Sequence, residues 1–227
     1  MPAVARARNS FQHRSPHPTV ANKWYAESRS CVEQLIAYEW FDGEIWDVCC
    51  GGGNIVSVFR DHGYVAHGSD LVDRGFGEVR DLFNINWELD NIVGNPPYGR
   101  KLDSLIRHCL GIARHKVALL LPTGFWNGES RYRLLTEHPP SVWYPFATRP
   151  TIPPGSMNVS RDSNGALVQP PQSGGTAVYG WVVWDVGYQG STEICPLPPW
   201  REKKRERPSH QESPPGHQVE SLEEDAA

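Results

Sequence analysis

The sequence has no long apolar run. No stretch approaches the roughly 18 consecutive apolar residues that a membrane-spanning helix needs, and the amino-terminal segment MPAVARARNSFQHRSPHPTV lacks the apolar core of a signal peptide. A cytoplasmic chain is the expectation. Paired cysteines are also missing: Cys31, Cys49, Cys50, Cys109 and Cys195 are odd in number, and none is spaced as CxxC or set beside histidine at metal-ligand intervals. Reduced thiols and no metal centre are therefore expected. There is no strong basic excess, since the formal net charge is -4, which excludes a chain that holds nucleic acid chiefly by neutralising phosphates. Neither a GxxxxGK[ST] phosphate loop nor a GxGxxG fingerprint occurs, because Asn54, Ile55 and Val56 follow Gly53. Nucleoside triphosphates and dinucleotides are disfavoured.

What is abundant is glycine and proline, 21 and 20 in 227 residues, a length that suits one domain with tails. The prolines are unevenly spread: three lie in residues 1–20, five in 150–175 and six from 196 onward. Residues 1–20 carry Arg6, Arg8 and Arg14 with no acid, and 201–227 run basic then acidic with almost no apolar side chains. Both compositions predict solvated, disordered segments. The stretch 150–175 is too long for a simple connector and reads as a functional or disordered loop. The folded core is then 21–200, and it is acidic.

Inside that core Ser28–Glu39 places Val32, Leu35, Ile36 and Trp40 near helical spacing, with Ser28 or Ser30 available as a cap. GEIWDVCC predicts a short buried strand running into GGG, and NIVSVFRDHG a helix stopped by Gly63. YVAHGSD and NIVG predict two more strands, Leu102–His115 an amphipathic helix, and KVALLLP a strand buried on both faces. SVWYPFATRP and TAVYGWVVWD follow without a helix between them, as an antiparallel pair flanking the 150–175 loop. The alternation predicts an α/β fold, a doubly wound, mostly parallel sheet with a C-terminal antiparallel hairpin. Trp143, Trp181 and Trp184 are assigned to sheet packing.

In such a sheet ligands sit at the carboxyl ends of the strands. Asp47-Val48-Cys49-Cys50-Gly51-Gly52-Gly53 is a strand running through a glycine-rich turn into a helix, where the backbone can approach a ligand and the helix start offers free N–H groups. Asp70, ending the next strand, can accept both hydroxyl hydrogens of a ribose, or be a solvated strand end. Asp81, in RDLF, is either an acceptor for an adenine amino group or a surface residue. Asn95-Pro96-Pro97-Tyr98 is the strongest signal. Two prolines fix φ and remove two donors, so the turn presents carbonyl oxygens beside the Asn95 side-chain oxygen and the Tyr98 ring. That surface accepts hydrogen bonds from an NH₂ group. Acceptors pulling on both hydrogens of a conjugated amine restore its lone pair, and a stacked ring holds a planar substrate in line with an electrophile.

DVCCGGG, SD, RDLF and NPPYG, in this order, resemble motifs I to IV of the amino-methyltransferases, S-adenosylmethionine-dependent enzymes of the class I, Rossmann-like fold. The likeness covers roughly residues 24–185. Trp24-Tyr25-Ala26-Glu27 and the following helix lie where that family places its motif X, without the usual Tyr-x-Thr-Pro. The ending, with TGFW after KVALLLP and YGWVVWD in the hairpin, looks like the small adenine-N6 DNA methyltransferases of bacteriophages and prophages.

The resemblance implies S-adenosylmethionine as cofactor. Gly51 and Gly53 would let the turn approach it, Asp47 would anchor its amino-acid portion with Tyr25 at that end, Asp70 would bind the ribose, and Asp81 would meet the adenine amino group. Asn95, Pro96 and Tyr98 would hold the target amino group, and Pro97 would shape the turn. The implied partner is duplex DNA with one adenine flipped out of the stack, in a bacterial or phage-infected cell. Phe125 or Trp126 would cover the extruded base or be core. Arg149, Arg161, Arg131, Arg133 and the amino-terminal arginines would touch phosphates or face solvent. Only the 150–175 loop is spare for reading a target. Related chemistry on RNA or on a protein glutamine side chain, and a catalytically silent cofactor-binding module, stay open as alternatives.

Overall fold

The structure, a computed structural model, describes residues 24–150, 152, 153, 155 and 177–199. The expectations for the arm 1–20, the tail 201–227 and nearly all of 150–175, Arg161 included, lie outside the described residues.

The first described helix is α1 (Arg29–Tyr38), whose Val32, Leu35 and Ile36 are buried as the spacing predicts, joined by Cys31, whereas Trp40 lies beyond the helix end and is exposed. Ser28 precedes it with extended backbone, but its hydroxyl makes no cap and meets Ser30 Oγ at 2.7 Å instead. Then follow β1 (Ile45–Asp47), α2 (Asn54–Asp61), β2 (Ala66–Asp70), the two-residue β3 (Glu78–Val79) and β4 (Leu89–Gly94). After them come α3 (Leu102–Ile112), β5 (Ala113–Pro122), α4 (Glu129–Glu137), β6 (Val142–Pro145), β7 (Tyr179–Asp185) and β8 (Glu193–Ile194).

The eight strands form one sheet in the order β3-β2-β1-β4-β5-β7-β6-β8. Pairing is parallel from β3 through β5, β7 is antiparallel to both β5 and β6, and β8 runs parallel to β6. A seven-strand order 3-2-1-4-5-7-6 with only the seventh strand reversed is the class I methyltransferase, Rossmann-like arrangement, here with β8 added at the edge. Two expected boundaries move. The helix expected to reach His115 ends at Ile112, because Ala113 already pairs with Leu89 of β4. The first strand is only Ile45–Asp47, because the Asp47 carboxyl turns back onto the N–H of Cys49.

Each face of the sheet carries an apolar layer. Val32, Leu35, Phe41, Ile45 and Phe59 from the α1/α2 side pack on one face. Ile85, Leu105, Ile106 and Leu134 pack on the α3/α4 side. The run KVALLLP is divided between them, Ala118 and Leu120 facing the first layer and Val117, Leu119 and Leu121 the second. A strand buried on both faces needs no polar alternation. Trp181 and Trp184 are fully buried, and their indole N–H groups donate to the carbonyls of Cys31 (2.9 Å) and His138 (3.0 Å). Half-buried Trp143 packs against the second layer. Among the described residues no helix is long and apolar enough to cross a membrane.

Candidate active site

The strand order reverses between β1 and β4, the switch point at whose carboxyl ends open α/β sheets bind their ligands. β1 ends on Asp47, and β4 ends on Gly94 with Asn95 next. The two ends lie close: a Cβ on Gly94 would come within 3.2 Å of Asp47 Oδ1, so a larger residue there would push that carboxyl by a few tenths of an ångström. Asp47 is 2% exposed and accepts the Cys49 N–H at 3.1 Å. Burial, followed by the negative charges of Glu27 and Asp70, pushes its pKa well above the usual carboxylate range.

The glycine-rich turn follows. Gly51 and Gly53 have φ of +52° and +82°, the left-handed region that bends the strand into α2. Asp70, 7% exposed at the end of β2, holds this turn: Oδ2 accepts the Gly51 N–H and Oδ1 the Val72 N–H, both at 3.0 Å, with Arg74 Nε 3.5 Å from Oδ1. A carboxylate has about four acceptor sites, so Oδ2 keeps one for a ligand, while Oδ1 is shared between Val72 and Arg74. The glycine faces are covered by the chain's own rings. Trp24 lies against Gly51 and Gly52, 2.8 Å from a Cβ on the latter, and Phe76 lies against Gly53. The Arg74 guanidinium stands 5.5 Å from the centre of the Trp24 ring.

Asn95 is held from behind. Its Nδ2 donates to the Tyr25 carbonyl at 2.9 Å and to Glu27 Oε2 at 3.1 Å. A carbonyl cannot donate, so the Tyr25 contact alone decides which end of the amide faces it. The Oδ1 end meets the Tyr98 hydroxyl, which also lies 3.0 Å from the Leu120 carbonyl. One hydroxyl hydrogen thus serves two acceptors. Pro96 is buried and Pro97 exposed, and the Gly99 N–H closes the turn on the Pro97 carbonyl at 3.0 Å. The Tyr98 ring is half-buried and leans on Tyr179 with centroids 5.9 Å apart. Burial, then the charges of Tyr179 and Glu27, drives the Tyr98 pKa well up, so the phenol stays protonated.

The remaining expected residues part company. Tyr25 reaches the site through its backbone, which bonds Asn95. Asp81 caps the short helical turn 82–84, its Oδ1 accepting the Phe83 N–H at 3.0 Å. Of the two readings open for Phe125 the structure has it in the core: it is 3% exposed, packed edge-on to Trp126 and Trp184, with the Arg131 guanidinium 4.2 Å over its ring. An aromatic directly after a strand buried on both faces is drawn into the layer below it. Trp126 is half-buried beside Trp143. Arg131 is likewise not a free phosphate contact, since it is largely buried and pairs with Asp103 at 2.6 Å, and Arg133 pairs with Glu129 at 2.7 Å. Arg149 is exposed.

Sequence reading missed Glu27. It is 6% exposed, and burial raises its pKa from 4.5 to about 7. Nothing in WYAES marks it apart from its neighbours. The only signal was its place in the segment ahead of α1.

No family model matches the chain, and no curated protein does. Solved structures are similar in chain path. The modification subunit of a putative type I restriction enzyme from Vibrio vulnificus is 10% identical, with 80% of this chain and 49% of that one covered and a TM-score of 0.49. The M protein of the type I restriction enzyme EcoKI is 9% identical, over 77% and 48%, with a TM-score of 0.48. Magnesium protoporphyrin IX methyltransferase from Synechocystis is 14% identical, over 69% and 76%, with a TM-score of 0.44. The chain spans about half the length of the two restriction-enzyme subunits. Strand order and direction, rather than these scores, define its fold.

Proposed function

We propose that this chain is an S-adenosylmethionine-dependent N-methyltransferase that acts on the N6 amino group of adenine in DNA. The observation that carries the reading is Asn95 at the switch point: both Nδ2 hydrogens are consumed by Tyr25 and Glu27, so the amide oxygen is the end left to face the NPPY turn. Oδ1 has two acceptor sites, and the Tyr98 hydroxyl takes one. An incoming N–H can take the other, or both, because Tyr98 has the Leu120 carbonyl to turn to. In this reading the Pro96 carbonyl supplies the second acceptor for the same amino group.

S-adenosylmethionine supplies a methyl group on a sulfonium. The residues present suit such a ligand: Glu27, Asp47 and Asp70 are buried acids whose mutual repulsion is relieved by a bound cation, and Asp70 has acceptor capacity left for ribose hydroxyls. Trp24 and Phe76 cover the glycine faces, so the Trp24 ring has to leave Gly51 and Gly52 for the turn to meet the cofactor. Asn95 and Pro96 would hold the amino group with its lone pair facing the methyl that S-adenosylmethionine would supply, and the surplus N–H proton would pass to solvent. Flipping of the adenine from duplex DNA, and phosphate contacts by Arg149 and by the arginines of 1–20, belong to the same proposal.

The test is incubation with methyl-labelled S-adenosylmethionine and adenine-containing duplex DNA, then digestion to nucleosides. Label in N6-methyldeoxyadenosine is expected. Label confined to RNA or to protein glutamine overturns the DNA assignment.

A further inference from the structure

We propose that Glu27 is the positioning residue for Asn95: its carboxylate takes one Nδ2 hydrogen, steadies the amide that the Tyr25 carbonyl orients, and strengthens the amide oxygen as an acceptor for the target amino group. The inference rests on the amino-methyltransferase reading and deepens it, because it assigns the site a residue beyond the NPPY turn.

Two acceptors meet the Asn95 Nδ2 group, and they differ in kind. The Tyr25 carbonyl at 2.9 Å is neutral and sets orientation only. Glu27 Oε2 at 3.1 Å is a carboxyl oxygen that carries charge when ionised. An N–H bonded to an anion pushes electron density through the amide onto its oxygen, and hydrogen bonds in a chain reinforce one another in this way. Asn95 Oδ1 is the next link in that chain.

The segment that carries Glu27 is built to hold it still. Ala26 N–H donates to the Pro153 carbonyl at 3.0 Å, Gly155 N–H to the Trp24 carbonyl at 2.9 Å, and Asn54 Nδ2 from the start of α2 to the Glu27 carbonyl at 3.1 Å. Glu27 is thus fastened between α1, α2 and the chain around 153–155, with its side chain directed at Asn95, 68 positions away in sequence.

The carboxyl can change state near neutrality. The titratable groups facing it are Asp47 at the end of β1, Cys31 on α1 and Tyr98 after β4. Burial keeps the Cys31 thiol protonated, pushed up to about 12, and drives Tyr98 well up too, which leaves Asp47, among the described residues, as the neighbour able to titrate with it. Glu27 itself moves up to about 7, with burial the cause and the Asn95 bond opposing it. The acceptor strength of Asn95 is therefore tied to pH between about 6 and 8.

Two measurements test this, one needing no activity. In the wild-type chain the Asn95 side-chain NH₂ resonances, identified by their absence from Asn95→Ser, are expected to shift with pH around a midpoint near 7. In Glu27→Gln, which keeps an oxygen to accept the bond but removes the charge, that titration should vanish. A pH-independent Asn95 resonance in the wild type overturns the proposal, as does a titration that survives in Glu27→Gln.

In the transfer assay with adenine duplex, wild-type kcat should rise about tenfold from pH 6 to pH 8, since a charge-assisted hydrogen bond is roughly twice as strong as a neutral one. Glu27→Gln, assayed at saturating cofactor, should stay at the lower value throughout. A Gln variant with wild-type kcat and the same pH limb sinks the positioning role. If the wild type transfers no methyl group while the Asn95 titration is present, the proposed reaction is wrong and the Glu27–Asn95 coupling stands.

Discussion

The two ends of the sheet use the same residue types in opposite physical states. At the amino ends of the parallel strands the acids are neutralised by bases. Arg114 bridges Glu88 at 2.9 Å and Asp90 at 3.3 Å, and Lys116 holds Glu39 at 2.8 Å and Asp185 at 2.7 Å. Hydrogen bonding to Glu44, followed by Arg114, keeps the Asp90 pKa below its ordinary value. At the carboxyl ends Glu27 and Asp47 are buried against each other, and both are pushed the other way. An end that serves only the fold settles its charges internally. An end whose buried acids, among the described residues, are held protonated by burial rather than paired with a base is one that a cation would ionise, which is where the proposed sulfonium cofactor would sit.

The largest expected effect breaks the carboxyl end alone. Asn95→Ala should lower kcat by about 10²–10³, the usual loss when a preorganised transition-state hydrogen bond is removed, while cofactor affinity measured by calorimetry stays within about threefold. Loss of cofactor binding instead would mean that Asn95 supports the cofactor rather than the target.

Next is the amino end. Lys116→Met leaves the largely buried Glu39 carboxyl with the Tyr144 hydroxyl but no cation. Stability should fall by about 2–3 kcal/mol at pH 7, read from urea midpoints, with cofactor affinity unchanged. An equal loss of affinity would show that the two ends are not independent.

Glu27→Gln sharpens the contrast by moving stability in the opposite direction. An acid whose pKa is raised in the folded chain holds a proton that the unfolded chain has already lost between pH 4.5 and about 7. Stability therefore falls as pH rises through that window, and the whole penalty is present above it. The Gln variant escapes it and should be more stable than wild type at pH 8 by on the order of 1–3 kcal/mol, with little difference below pH 4.5. Equal urea midpoints at pH 8 would show that Glu27 is not held unfavourably charged. The smallest effect is at the exposed pair: Arg114→Ala should leave both thermal midpoint and transfer rate unmoved, and a measurable loss of either would mean that the amino end does more than close charges.

Much of this architecture is visible along the chain. KVALLLP reads as a strand buried on both faces because its apolar residues are continuous, and its side chains do divide between two layers. DVCC-GGG and NIVG-NPPYG read as strand ends followed by turns because glycine and proline act on their own backbone. The two boundaries that moved, at Ile112 and Asp47, were moved by a neighbouring strand and by one side chain. Phe125 was legible as aromatic but not as core, since its place depends on Trp184 and Arg131, which come from other elements.

The sequence by itself determined the alternation of strands and helices, the glycine-rich turn and the proline-stiffened acceptor turn, because helix period, strand period and turn geometry act over a few neighbouring residues. Only the tertiary structure decided that Glu27 would lie behind Asn95, that Asp47 would crowd Gly94, and that Trp24 would cover the turn. Desolvation and close contact belong to the assembled fold, and a carboxyl that titrates normally in the chain becomes a buried, nearly neutral-point acid only when α1, β1 and β4 are brought together around it.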